Sequence, residues 1–331
     1  MQKGYWGILF LCVLAGCTSS EMPKEMQKTI QNASFQRNMA SVNIAVVAPG
    51  SGAADDKLNI LRKRLPKNVT LAKSYPNNII FHSDTDEHRA AEFVQALENP
   101  RIDVIWALRG GYGSARLLPA LEAIHKPAQP KLFVGYSDNT FLHLYLNRWG
   151  WKTIHGPALT EFFTSKEGEN FIRMAKVLSG KTPVLHYTGL RPLNAAARGQ
   201  RTIAGPIIGG NLSIVTNSIG TDWQIRAQDH ILFLEDVHAK GHAVDRDLTH
   251  LKQAGLLKNV KAILLGEFLY GDEAVQYALE RFAAAEALPV FQSHLFGHGA
   301  KNYPLPFGCK SQIAKTQGQK GYSLTVETPR L

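Results

Sequence analysis

Short, fully apolar runs separated by helix-length amphipathic stretches recur through the first half of the chain, and each run stops at a glycine- or serine-bearing loop. Val42–Ala48 ends at Pro49-Gly50-Ser51-Gly52, Asp103–Leu108 at Arg109-Gly110-Gly111-Tyr112-Gly113, and Lys131–Val134 at Gly135-Tyr136-Ser137-Asp138-Asn139-Thr140. Between them lie an amphipathic stretch to Leu65, a β-rich piece around Val69–Ala72, and helical patterns over Thr85–Leu97, Ser114–Ile124 and Asp138–Trp149. Strands apolar on both faces and alternating with helices predict an α/β fold built on a parallel, doubly wound sheet. Ligands on such sheets bind beyond the carboxyl ends of the strands, so the three loops are where chemistry is expected.

The second half repeats the alternation less regularly. Lys181–Thr202 is rich in Pro, Gly, Arg and Ala without a clear period and reads as a crossing between domains. Beyond it come a helix near Asn211–Ser218, a strand Ile231–Leu234, a helix Val244–Gln253, a strand Ala262–Leu265, a long helix Glu273–Leu288 and a strand-like Val290-Phe291. Lys310–Thr328 alternates as antiparallel strands do. The expected organisation is an N-terminal α/β domain over 42–180, a linker over 181–206, and a smaller C-terminal α/β domain with antiparallel elements over 207–331. A chain of 331 residues with 44% apolar and 19% charged residues has material for such cores. Its net charge of +10 is spread out, Arg62-Lys63-Arg64 being the one basic triplet, and aromatic and basic residues do not interleave as a nucleic-acid surface requires. No nucleic-acid partner is predicted.

Four stretches carry side chains able to do chemistry. Ser137 sits between a strand and a helix, where a sharp turn presents its hydroxyl and the helix N-terminus offers N–H groups to an anion. The position suits a nucleophile, although Asn139 stands where the α/β-hydrolase elbow has its second Gly, and an N-cap role for Ser137 or Asp138 fits the same residues. The glycines of Arg109–Gly113 allow close backbone approach, either to complete an oxyanion hole or simply to make a tight turn; the Walker Lys is missing. Glu235 and Asp236 leave a buried strand, and one of them can orient a histidine. His298, in Phe296-Gly297-His298-Gly299, lies in an irregular loop and is a candidate general base. A metal site is the competing pattern, since His238 and His242, like His294 and His298, are four apart. Gly241 and Gly297 disfavour a helix at both places, and no His-Glu-x-x-His run occurs.

Taken in order, Arg109-Gly110-Gly111-Tyr112-Gly113, Gly135-Tyr136-Ser137-Asp138, His155-Gly156-Pro157, Gly209-Gly210-Asn211-Leu212, Leu234-Glu235-Asp236 and Gly297-His298-Gly299 resemble the L,D-carboxypeptidase serine peptidases, a family that includes muramoyltetrapeptide carboxypeptidases and microcin C immunity peptidases. The resemblance spans about Val42 to Thr328. It implies Ser137 as nucleophile, His298 as general base, Glu235 as its orienting carboxylate, and the Gly111 and Asp138 amides as the oxyanion hole. Asp245-Arg246-Asp247-Leu248 resembles a family segment expected to give structural support. The resemblance further implies acyl-enzyme hydrolysis of the bond to a terminal D-alanine, with no cofactor and no metal, peptidoglycan stem peptides as substrate, and a homodimer. Two rivals are an immunity-type peptidase acting on an aminoacyl-nucleotide and a catalytically silent peptidoglycan-binding lipoprotein.

The N-terminus departs from cytoplasmic members of that family. Lys3, the apolar run Trp6–Leu14 and Leu14-Ala15-Gly16-Cys17 resemble a bacterial lipoprotein signal, with Cys17 the lipidated residue. The expectation is an exported protein, anchored by lipid to a membrane facing the periplasm, the outer membrane favoured by Thr18. Residues 18–41, polar with few large apolar side chains, read as a tether. Cys309 would then be the one thiol of the mature body.

Overall fold

Five short strands, β1 (Ile44–Val47), β2 (Val69–Leu71), β3 (Val104–Ala107), β4 (Leu132–Gly135) and β5 (Thr153–His155), form a parallel sheet in the order 2-1-3-4-5. The computed structural model describes residues 22–71, 80–163, 168–316 and 321–331. Alternation along each strand divides two cores. Val104 and Trp106 of β3 pack on one face with Phe162 and Phe171, while Ile105 and Ala107 pack on the other with Phe93 and Leu142. The order reverses between β1 and β3, so the loops leaving these strands turn apart and open a crevice at their carboxyl ends.

The second sheet has eight strands. β8 (Ile207–Asn211), β9 (Ile231–Val237), β10 (Ala262–Leu269) and β11 (Val290–Gln292) run parallel. β6 (Val184–Pro192), β14 (Tyr322–Glu327), β13 (Ser311–Lys315) and β7 (Thr202–Ala204) continue it antiparallel, giving the order 7-13-14-6-11-10-9-8. Leu232, Leu234, Ile263 and Leu265 face the helices Gly241–Gln253 and Ala274–Ala285 through Val244, Leu248, Leu251 and Leu279. The alternate residues Ile231, Phe233, Ala262 and Leu264 join the core that also covers the first sheet. β12 (Leu305–Phe307) pairs antiparallel with β5, so a strand from the last third of the chain closes the edge of the N-terminal sheet.

Three expectations are corrected here. Within 18–41, residues Lys24–Gln31 and Ala33–Met39 are helices rather than a tether. Their few apolar side chains, Met26, Ile30, Phe35 and Met39, share one face and are buried, Phe35 edge-on to Phe162 at 6.0 Å. Spacing outweighs apolar content, because helical order requires only one covered stripe. The linker over 181–206 contains the nine-residue strand β6, which buries Leu185, Tyr187 and Leu190 between β14 and β11. Its Pro and Gly residues hide an alternation that pairing partners 99 or more residues away stabilise. Finally, the helix bearing His242 begins at Gly241, where a Cβ would lie only 2.6 Å from the Cβ of Ala274, so the glycine serves helix packing rather than breaking the helix. His238 stands outside that helix at φ +64°, stacked on Tyr270, and does not share its face.

Candidate active site

β4 delivers the serine. Gly135 ends the strand, Tyr136 is extended, and Ser137 takes φ +62° at the start of a 3-10 turn, Ser137–Asn139, that feeds the helix Thr140–Arg148. A left-handed conformation at a residue with a side chain costs about 1–3 kcal/mol and persists only where its surroundings impose it. Buried Asn139 does so by donating from Nδ2 to the Tyr136 carbonyl at 3.0 Å and to the Arg109 carbonyl at 3.3 Å. The residue that departs from the hydrolase elbow pattern thus ties the serine turn to the glycine loop.

The loops after β1 and β3 are braced against the same turn. Asp138, buried, accepts the Gly113 N–H at 3.3 Å, the Ser114 N–H at 2.9 Å and the Ser114 hydroxyl at 2.6 Å. Burial pushes its carboxyl up, against the pull of the Ser114 and Gly113 bonds. The buried Arg89 guanidinium donates to the Pro49 carbonyl, to the Gly113 carbonyl at 3.1 Å and to Asp86. Ser51 N donates to the Gly110 carbonyl at 3.0 Å. Contact is so close that a Cβ on Gly50 would lie 2.6 Å from the Gly110 oxygen and 2.8 Å from Asp138 Oδ2. Gly111, at φ +95°, lines the cleft beside Ser137.

β9 separates the two carboxylates, because neighbouring strand residues point to opposite faces. Asp236 turns to the helix Leu212–Asn217, accepting from Asn211 Nδ2 at 3.2 Å, Ser213 N at 3.0 Å and Ser213 Oγ at 2.8 Å. Glu235 turns to the cleft, fully buried, with Oε2 2.6 Å from His298 Nδ1. His298 lies in a turn between Gly297 and Gly299, and its ring packs 4.7 Å from that of Tyr136. Burial pulls the imidazole pKa down, but the Glu235 charge and hydrogen bond, with Glu161 and Asp236 behind them, outweigh it and leave the group above its ordinary value. Nδ1 being held by Glu235, Nε2 is the nitrogen left for a hydroxyl. Ser137 and His298 face one cleft of about 530 Å³, with no direct hydrogen bond between them among the described residues.

The structure therefore gathers Ser137, Gly111, Asp138, Glu235 and His298 at the carboxyl ends of β4, β3 and β9. Asp245 and Asp247 lie in the helix Gly241–Gln253, where Asp247 pairs with Arg246 at 2.8 Å and Asp245 with Arg281 at 3.4 Å, away from the cleft. His294 pairs with Glu267 at 3.3 Å. Cys17 lies outside the described residues; Cys309 is buried, and burial pushes its thiol up to about 11. His155 is buried between Tyr136, Phe233 and Phe307, neither ring nitrogen has a partner, and burial drives its pKa well down, which marks it as a neutral packing residue under the site.

One cleft residue escapes sequence reasoning. Glu161, half-buried in the 3-10 turn Leu159–Phe163, lines the cleft with Ser137 and His298. The stretch Leu159-Thr160-Glu161-Phe162 has no period or glycine signal of its own. Only its place four residues after the His155-Gly156-Pro157 block could have drawn notice.

Two family models match the chain: the LD-carboxypeptidase N-terminal domain over residues 44–156 and the LD-carboxypeptidase C-terminal domain over 204–313. A putative carboxypeptidase of Rickettsia conorii is 39% identical over 293 residues, 87% of this chain and 93% of that protein. The murein tetrapeptide carboxypeptidase of Pseudomonas aeruginosa is 30% identical over 287 residues, 80% of this chain and 91% of its own. Among solved structures, the muramoyltetrapeptide carboxypeptidase of Oxalobacter formigenes aligns with a TM-score of 0.72 at 26% identity, covering 86% of this chain and 99% of that one.

Proposed function

The chain belongs to the LD-carboxypeptidase family and is a serine-type carboxypeptidase, and on that premise we propose that it removes the terminal D-alanine from murein tetrapeptides through a Ser137–His298–Glu235 triad. The observation that carries the reading is the 2.6 Å bond from buried Glu235 to His298, set across one cleft from a serine held at positive φ.

Ser137 Oγ attacks the carbonyl carbon of the bond to D-alanine while its proton passes to His298 Nε2. Charge gathers on the carbonyl oxygen, where the Gly111 and Asp138 amides stabilise it; one such donor is worth about 10²–10³ in turnover. The imidazolium, stabilised by Glu235, protonates the departing amine, leaving an ester on Ser137. Water attacks that ester, gives its proton to His298, and the proton returns to Ser137 as the shortened peptide leaves. In the free enzyme the serine–histidine contact is open; it tightens as substrate fills the cleft.

Incubation of disaccharide tetrapeptide with wild type and Ser137→Ala, read by mass spectrometry, tests this. Loss of one alanine in the wild type alone is expected, and equal loss in both removes the serine mechanism. An aminoacyl-nucleotide cleaved in preference to the tetrapeptide would transfer the reading to the immunity-type substrate.

The same proposal extends to location: Cys17 carries a lipid and the enzyme works outside the cytoplasm. Its support is the Leu14-Ala15-Gly16-Cys17 sequence. None of the described helices is long and apolar enough to cross a membrane. Labelled fatty acid should enter the wild type and not Cys17→Ala; equal labelling overturns the anchor.

A further inference from the structure

The mechanism above gives no task to Glu161, an ionisable side chain that lines the cleft with Ser137 and His298. Glu161 accepts the Ala158 N–H at 2.9 Å and lies beside the Tyr136 hydroxyl and the Asn302 amide, whose buried Nδ2 has no hydrogen-bond partner among the described residues. Both of these reach the base. The Tyr136 ring packs 4.7 Å from the His298 ring, and Asn302 Oδ1 accepts the N–H of Gly297, the residue before His298, at 3.4 Å. Burial pushes the Glu161 carboxyl up to about 7, while the Ala158 and Tyr136 contacts and the His298 charge pull it the other way. A solvated carboxylate has no reason to titrate there; one stripped of water in the cleft wall does, even with an imidazole nearby to favour its charge.

We propose that Glu161 is a positioning residue for the base, a second carboxylate that, held against Tyr136 and Asn302, favours the protonated form of His298 and so sets the pH at which the enzyme becomes active. The inference rests on the reading of His298 as general base. Glu161 takes no proton from substrate: the serine proton goes to His298 Nε2 and returns to the leaving amine, and Glu161 lowers the energy of the imidazolium in between.

The groups facing this pair can be named. Glu235 faces His298 from β9, with the charge of Asp236 acting from that strand's opposite face; Tyr136 faces it from the serine turn and neutral His155 from β5. Arg109 acts on Tyr136 from the glycine loop. Glu267 on β10 backs Gly297 and Gly299, but its carboxylate pairs with His294. Of these carboxylates Glu235 is fully buried on Nδ1, whereas Glu161 borders the cleft and can exchange its proton with solvent. Two groups this close titrate as a pair, and the acidic limb of the rate profile belongs to both.

The test is the pH profile of kcat/KM for the full chain on disaccharide tetrapeptide, beside an NMR titration of His298 in the same proteins. Glu161→Gln preserves the shape and the Ala158 bond and removes the charge. Its acidic limb and its His298 titration should both move down by about half a unit to one unit, the size expected of a partly solvated opposite charge. Glu161→Asp, which keeps the charge, should restore the wild-type limb. Tyr136→Phe removes the hydroxyl that favours ionised Glu161 and should shift the limb in the same direction as Gln, which covers the case of a Gln variant that fails to fold. A Gln variant whose rate falls at every pH with the limb and the His298 titration unmoved overturns the inference and leaves the triad standing. A wild type that releases no D-alanine sinks the triad reading, while the NMR titration still decides whether Glu161 governs His298.

Discussion

Asp138 offers the sharpest test of how the site is held, because its amide and its carboxylate serve different ends. The amide is assigned to the oxyanion; the carboxylate gathers the Gly113 N–H, the Ser114 N–H and the Ser114 hydroxyl at 3.3, 2.9 and 2.6 Å in a buried setting. Asp138→Ala removes three bonds to a charged acceptor and leaves three donors with no partner. At about 1–3 kcal/mol for each stranded donor, and less than additively, the fold should lose about 3–5 kcal/mol. Asp138→Asn is the informative variant. Its oxygen can keep the two Ser114 bonds, but its NH2 then faces the Gly113 N–H, donor against donor, so about 1–2 kcal/mol should be lost. The glycine loop must move away from that contact, and Gly111, two residues before Gly113, moves with it. Losing one oxyanion donor predicts a fall in kcat of about a hundredfold with KM little changed. Urea unfolding gives the stability and steady-state kinetics on tetrapeptide the rest. An Asn variant less stable by the expected amount but with wild-type kcat would refute the coupling between this brace and the oxyanion site.

The remaining predictions concern the base, the crevice and the N-terminal helices. Glu235→Gln keeps the shape beside His298 and removes the charge, so kcat should fall by about 10²–10⁴, measured on tetrapeptide; an unchanged kcat would dismiss Glu235 as orienting group. His298, raised by its carboxylates, must lose a proton to act, so kcat/KM should climb with pH through a value above the ordinary imidazole value of about 6.5; a limb below it contradicts the charge arrangement. Gly50→Ala drives a Cβ into the Gly110 carbonyl and the braced Asp138 carboxylate, and should cost about 1–3 kcal/mol by thermal or urea unfolding, since neither neighbour can yield freely. Met26→Ala should cost about 2–5 kcal/mol if the helices 24–39 belong to the core, whereas a free tether would give no change in the same measurement.

Local pattern by itself determined a good deal. Apolar runs closed by glycine loops are short-range signals, written in residues that are neighbours in the chain, and they gave the parallel sheet, the turn carrying Ser137 and the loop carrying Gly111. His298 between two glycines stood out for the same reason. The rest depends on residues far apart in sequence. Glu235 and Asp236 are adjacent and chemically alike; which of them meets His298 follows from which face of β9 looks into the cleft, and that is set by the helices on the other side. β6 becomes a strand because β14 and β11 supply its hydrogen bonds, and the helices over 24–39 form because a groove exists to cover one narrow stripe of Met26, Ile30, Phe35 and Met39. Glu161 shows the limit most plainly: nothing around it in the chain distinguishes it from a solvated surface acid, and its proton affinity rises only when folding strips its water, against the opposing pull of Ala158, Tyr136 and His298. Secondary structure is encoded by spacing along the chain, whereas the charge state of a buried group is a property of whatever surrounds it in space.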